Sequence, residues 1–207
     1  INNSKLGLLS FGLLTSLFFA SNAIMGLMRA FNRNYIGFEK RHSIKDRVVA
    51  LRLTIILFGL LMGYLILLIM QGALLKLLVR NEILREVFSY LRWGLMIMLV
   101  FFAIAYIFKY APSVKKKWKL KSPGAILATF LSIAASFGFS VFVNSFGKYN
   151  ALYGSIGTIM MIMALIFLNS LALLIGFELN VSIKSLRLHA IQRKEEELAQ
   201  KEKVQHT

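Results

Sequence analysis

Five small polar residues step through one apolar stretch at intervals of three and then four: Thr129, Ser132, Ser136, Ser140 and Asn144. On an α-helix that spacing draws a continuous stripe down one side. A hydroxyl turned to hydrocarbon finds no partner beyond its own helix, so the stripe is expected to face protein or water. Two chemistries fit. Small residues let membrane helices approach closely and bond to each other's carbonyls, and the same hydroxyls are able to line a cavity for a polar headgroup. Amides raise the same alternative elsewhere: Asn22 beside Ser21, and Asn169 beside Ser170, lie inside apolar runs. Each needs hydrogen-bond partners there, from a neighbouring helix or from an amphiphile passing along it. Glu178 and Asn180 close the last apolar run. Near an interface, Glu178 is solvated, paired with Arg29, Arg33 or Arg187, or functional.

Catalytic chemistry needs converging acids, bases, nucleophiles or metal ligands, and the chain offers little of that kind. Glu39, Asp46, Glu195, Glu196, Glu197 and Glu202 lie in basic segments, and Glu82 and Glu86 belong to an amphipathic stretch. His42, His189 and His206 are scattered without the paired spacing of a metal site. No phosphate-binding glycine loop or nucleophile elbow occurs. With no cysteine, thiolate chemistry and disulfides are excluded. The expectation is a protein that is not an enzyme and takes no metal or cofactor.

The elements that must position these polar groups follow from composition. Of 207 residues, 57% are hydrophobic, and the mean hydropathy is +0.67, beyond ordinary soluble usage. Crossing a hydrocarbon layer of about 30 Å takes roughly 20 apolar residues as helix. Five stretches suffice: residues 7–28, 48–75, 93–111, 124–146 and 156–177. The bilayer requires them to be helical, because backbone amides find no water there. The fold is therefore an all-α polytopic transmembrane bundle over residues 1–181. A polar helical tail over 182–207 follows, expected to fray near Thr207. The segment 76–93 gathers Leu77, Ile83, Leu84, Val87, Phe88 and Leu91 on one side, and reads as an amphipathic helix lying in the interface. In the connection after the first span, Phe31, Tyr35 and Phe38 among cations suit the headgroup layer. Pro112 and Pro123 bracket a basic connection and stop the helices beside it.

The net charge of +16 would suggest nucleic acid in a soluble protein, but its distribution points elsewhere. Arg29, Arg33, Lys40, Arg41, Lys45, Arg47 and Arg52 flank the first connection, and Lys109, Lys115, Lys116, Lys117, Lys119 and Lys121 the third. The tail adds Lys184, Arg187, Arg193, Lys194, Lys201 and Lys203. The opposite side holds only Lys5, Lys76, Arg80, Arg85, Arg92 and Lys148. Alternating spans and the positive-inside bias agree on a cytoplasmic C-terminus, with Lys116 inside and Lys148 outside. The expected partners are membrane lipids, with anionic headgroups at the cytoplasmic face, and a second copy or another membrane protein. Nucleic acid is not among them. The first residue is Ile and no signal peptide is visible, so the chain reads as a portion of something longer.

Between the last two spans, Gly147, Gly154 and Gly157 suit a sharp turn that sets Tyr149, Asn150 and Tyr153 at headgroup depth. That group serves as an aromatic anchor or as the mouth of a polar vestibule. By helical rise Asn169 lies roughly 24 Å from Tyr153, and Glu178 about 14 Å farther on. Tyr149, Asn150, Tyr153, Asn169 and Glu178 are therefore expected to mark successive depths of one substrate path.

Three segments, "ASNAIMGLMRAFNRNYIGFEKR", "SPGAILATFLSIAASFGFSVFVNSFGKYNALYGSIGTI" and "LLIGFELN", resemble the YihY / virulence factor BrkB family of bacterial inner-membrane proteins. Tyr149, Asn150, Tyr153, Gly154, Glu178 and Asn180 match its pattern. The sequence departs at Ser21-Asn22, where the family often has Ser-Arg, and at "LIFLNS", where it often has Trp and Tyr. The resemblance implies six membrane helices with both termini cytoplasmic, so the five spans look like that pattern without its first helix. It also implies envelope transport, since some relatives are linked to export of lipid or lipopolysaccharide precursors and to serum resistance. The older family label, ribonuclease BN-like, implies RNA cleavage, which the residues here do not support. The joint reading is a transporter or flippase-like carrier of a lipid or amphiphilic solute, with a noncatalytic scaffold as the alternative.

Overall fold

The computed structural model describes residues 2–32, 38, 43–69, 82–114, 117–145 and 147–205. Five helices account for nearly all of them: α1 (Asn2–Phe31), α2 (Ser43–Ile69), α3 (Glu82–Tyr110), α4 (Pro123–Ser145) and α5 (Gly147–Gln205). Among the described residues there is no strand, only an isolated antiparallel bridge between Phe38 and Val114. All five helices contain a stretch long and apolar enough to cross a membrane: Ser10–Phe31, Ser43–Ile69, Glu86–Tyr110, Pro123–Asn144 and Ile156–Leu198.

What these helices turn outward explains why they need a bilayer. Phe11, Phe19, Phe130 and Phe137 are each about two-thirds exposed or more, and Ile55, Ile166 and Phe167 are among many apolar side chains equally open. Contiguous apolar surface on that scale is untenable in water and ordinary in lipid.

The chain divides into two compact units, Ile1–Lys121 and Ser122–Thr207. In the first, α2 packs against both α1 and α3. Its core gathers Met28 and Phe31, Ala50 and Leu53, and Ile104 and Phe108. Phe31 was expected in the headgroup layer. It is instead fully buried, its ring meeting Phe108 edge-to-face at 5.9 Å, because a favourable aromatic pair is available inside the unit. Phe38 is half-buried, and Tyr35 lies outside the described residues. The connection after α3 is also tucked in: Ala111, Pro112, Ser113 and Val114 are buried, and the Ser113 N–H donates to Asn32 Oδ1 at 2.7 Å.

The second unit is the helix pair α4 and α5. Pro123 opens α4 at the position where its missing amide costs nothing. Ser122 caps it, its Oγ accepting from the Ala125 N–H at 3.3 Å.

Two elements differ from the sequence-based expectation. The described part of the 76–93 segment, from Glu82, runs unbroken into the third span as one 29-residue helix, so it extends that span instead of forming a separate surface helix. Residues 76–81 lie outside the described residues. The glycine-rich stretch expected to turn between the last spans is helical from Gly147 onward. Backbone groups at membrane depth are best satisfied within a helix, and glycine is tolerated there. The same helix continues through residue 182 without a break, 59 residues in all.

Candidate functional site

The polar stripe of α4 is divided by its packing against α5. At the first turn of α4, Gly124 meets Gly176 so closely that a Cβ added to Gly124 would fall 2.6 Å from Asn180 Cγ and closer still to the Gly176 carbonyl. One added to Gly176 would fall 2.6 Å from Ala128 Cβ. Two ridges of small residues spaced by four make this crossing, Gly124, Ala128 and Ser132 on α4 and Ala172, Gly176 and Asn180 on α5, and all six are buried. The signal was present in the sequence as repeated small residues, but the polar stripe beside it drew the reading.

Asn180 closes the crossing with both ends of its amide. Its Oδ1 accepts from the Gly124 N–H at 2.9 Å, and its Nδ2 donates to Ser122 Oγ at 3.0 Å. A side chain of α5 thus satisfies an orphan amide at the α4 N-terminus. Thr129 and Ser132 are buried just beyond. The Thr129 hydroxyl is returned to the Ala125 carbonyl one turn back, at 2.7 Å. This half of the stripe is protein-covered.

The other half is open. Ser136, Ser140 and Asn144 are exposed, so the expected inward-facing stripe holds for Thr129 and Ser132 but not for Ser136 and Ser140. α5 supplies one partner here: Asn169, half-buried, donates from Nδ2 to Ser136 Oγ at 3.3 Å and to the Leu165 carbonyl at 3.0 Å. Ser170 turns back to the Ile166 carbonyl at 2.8 Å.

Glu178 is exposed on α5. Because α5 is continuous from Gly147 to Gln205, nine residues at 3.6 per turn set Glu178 roughly 180° around the helix from Asn169. The two do not share a face, whereas Asn169 and Asn180 do. Tyr149, Asn150 and Tyr153 are helical in backbone; their side chains lie outside what the structure describes.

On α1, Ser21 is fully buried and donates to the Phe18 carbonyl at 2.8 Å. Asn22 Oδ1 accepts from Arg47 Nη1 of α2. The same guanidinium stands 4.4 Å from the centroid of the Phe18 ring and reaches Met25 Sδ at 3.9 Å. Sequence reasoning placed a lone amide here, and the structure gives it a cation from the next helix.

Sequence reasoning also missed Arg92. It is buried at 8% exposure on α3, its Nε without a hydrogen-bond partner among the described residues and its guanidinium 5.9 Å from the centroid of the Trp93 ring. A buried charge among apolar residues is the signal that could have found it. An open apolar groove of about 310 Å³ lies between α2 and α3, lined by Leu57, Leu60, Leu61, Tyr64, Leu99, Val100 and Ala103. Among the described residues no group of three or more His, Asp or Glu gathers as a metal site would require.

The model of the family described as virulence factor BrkB matches residues 1–202. A relative from Bacillus subtilis, named as ribonuclease-like protein YfkH, is 32% identical over 87% of this chain and 67% of its own length. UPF0761 membrane proteins are also similar. That of Stenotrophomonas maltophilia K279a is 29% identical over 46% of this chain and 23% of its own length, and that of Idiomarina loihiensis is 28% identical over 52% and 38%. The chain therefore aligns with well under half of each of these two membrane proteins. No solved structure matches it.

Proposed function

The chain belongs to the virulence factor BrkB family of membrane proteins, and from that premise we propose that it is a carrier, flippase-like in action, for a lipid or amphiphilic envelope solute. It resides in this reading in a bacterial inner membrane with its C-terminus cytoplasmic, as its basic segments favour. The observation that carries the proposal is the Asn169–Ser136 hydrogen bond at an open helix face, continued along α4 by the exposed Ser140 and Asn144. An amide and hydroxyls in a row offer a polar headgroup successive partners through a layer that otherwise has none. Glu178, on a different face of α5, is left out of that route. The ribonuclease-like name of one relative remains a label, and no catalytic role is proposed.

A second reading, the noncatalytic scaffold, is favoured by one specific feature: the covered inner half of the stripe, where the Gly124–Gly176 crossing is filled by protein. The two readings separate in proteoliposomes carrying a fluorescent phosphatidylglycerol, with transfer between leaflets followed by dithionite quenching. The carrier accelerates transfer over empty vesicles, and Asn169→Leu with Ser136→Ala slows it at unchanged folded yield. Transfer no faster than in empty vesicles overturns the carrier reading in favour of the scaffold.

A further inference from the structure

At the basic end of the first unit, three cations converge on a single aromatic ring. Lys117 Nζ lies 4.8 Å from the centroid of Tyr110, Lys109 Nζ 5.4 Å and Arg52 Cζ 6.0 Å. They come from three places in the chain: α2, the end of α3, and the connection that follows it. The ring is stacked on Tyr106 at 5.8 Å and 12°. The connection is pinned beneath it by the Ser113–Asn32 hydrogen bond and the bridge between Val114 and Phe38.

Like charges gathered this closely repel, and a ring face offsets that only weakly. Among the described residues none of the three meets a carboxylate. Lys and Arg donors gathered over one aromatic ring are the chemistry that holds a phosphate.

A second observation on the same two helices says what kind of phosphate. The apolar groove between α2 and α3 begins at Leu57 and Ala103, and Tyr110, around which the cations gather, lies seven residues beyond Ala103. On a helix seven residues return to within about 20° of the same face at a rise of about 10 Å, the distance from a lipid phosphate to the upper part of its acyl chain. Leu60, Leu61 and Leu99 continue the groove. Cations at one end and an apolar groove beyond them fit an anionic amphiphile.

We propose that Arg52, Lys109, Lys117 and Tyr110 bind the phosphate of an anionic phospholipid whose acyl chain lies in the α2/α3 groove. The site rests on the chain's being a membrane protein and not on transport, so it stands or fails independently of the carrier reading.

Native mass spectrometry of the purified full chain, exchanged into detergent with graded phosphatidylglycerol or phosphatidylcholine, tests it. Phosphatidylglycerol is retained over phosphatidylcholine. Each cation near a membrane surface is worth a factor of about five, so Lys109→Gln with Lys117→Gln weakens retention by about thirtyfold. Lys109→Arg with Lys117→Arg retains it, which guards against a variant that merely misfolds. Ala103→Trp fills the groove and lowers lipid retention, while protection by inorganic phosphate of Lys109 and Lys117 from amine acylation is unchanged. A drop of the same size on replacing Arg193 and Lys201 in the tail by Gln would show generic charge attraction and overturn the site. Unaltered retention in the double Gln variant would overturn it equally, and full retention in Ala103→Trp would reduce it to a site for free phosphate.

Discussion

At the residue scale, the polar groups of this chain divide into those spent inside the structure and those left available. Asn180 is spent: removing its amide leaves the Gly124 N–H at the start of α4 without its acceptor. Asn180→Ala is expected to lower thermal stability in detergent by about 1–3 kcal/mol, the cost of an unpaired buried donor with loss of a cap. Asn180→Asp keeps the acceptor for Gly124 but cannot donate to Ser122, and should fall between Ala and wild type. Arg92 presents the opposite case. It is buried, and its Nε has no hydrogen-bond partner among the described residues; burying a charged group with a donor left unpaired costs free energy. Arg92→Met should therefore unfold at the same temperature as wild type or higher. A clear loss of stability would show that Arg92 meets an anion in the membrane. Reading single residues from the sequence found the amides but not their partners. Asn22 was visible, for example, whereas the guanidinium of Arg47 comes from 25 positions away, a distance that local pattern does not span.

At the element scale, hydropathy located all five helices because the bilayer leaves the backbone no other hydrogen-bonded form. Ends were harder. Gly147, Gly154 and Gly157 looked like turn residues, yet α5 runs through all three, since glycine marks a turn only where solvent is available to satisfy an open backbone. Packing was harder still: Gly124 and Gly176 stand in small-residue runs spaced by four, but nothing local said that these two runs would meet each other. Substitution separates Gly176 from Gly138. Gly176→Ala places a methyl 2.6 Å from Ala128 Cβ, with the Gly124 carbonyl nearer still, and overpacking of this kind costs about 1–3 kcal/mol or more. Gly138→Ala meets nothing within 4 Å and should be neutral within about 0.5 kcal/mol. Thermal melts of the two variants in one detergent make the comparison. Equal melting temperatures would show that the α4–α5 crossing is looser than the structure has it.

At the scale of the whole molecule, charge decides which way the bundle sits. Basic residues crowd the α1–α2 connection, the α3–α4 connection and the far end of α5, and are sparse at the alternate ends. A helix of 59 residues is roughly 90 Å long, about twice a bilayer with its headgroups, so one end of α5 must stand well clear of the membrane. Its first turns carry one charge, Lys148, while everything after residue 192 is charged or polar apart from Leu198, Ala199 and Val204. The polar end is therefore the one expected to emerge, and its Lys and Arg residues, set against the single Lys148 at the other end, predict that it lies in the cytoplasm. Because the chain contains no cysteine, a single introduced thiol is a unique reporter. In intact cells a membrane-impermeant maleimide should label Lys148→Cys and spare Lys119→Cys and Lys201→Cys, with all three labelled once the membrane is opened. External labelling of Lys119→Cys or Lys201→Cys would reverse the orientation. Labelling of both Lys148→Cys and Lys119→Cys from outside would break the alternation itself, since α4 is the one helix between them and could then not cross the membrane.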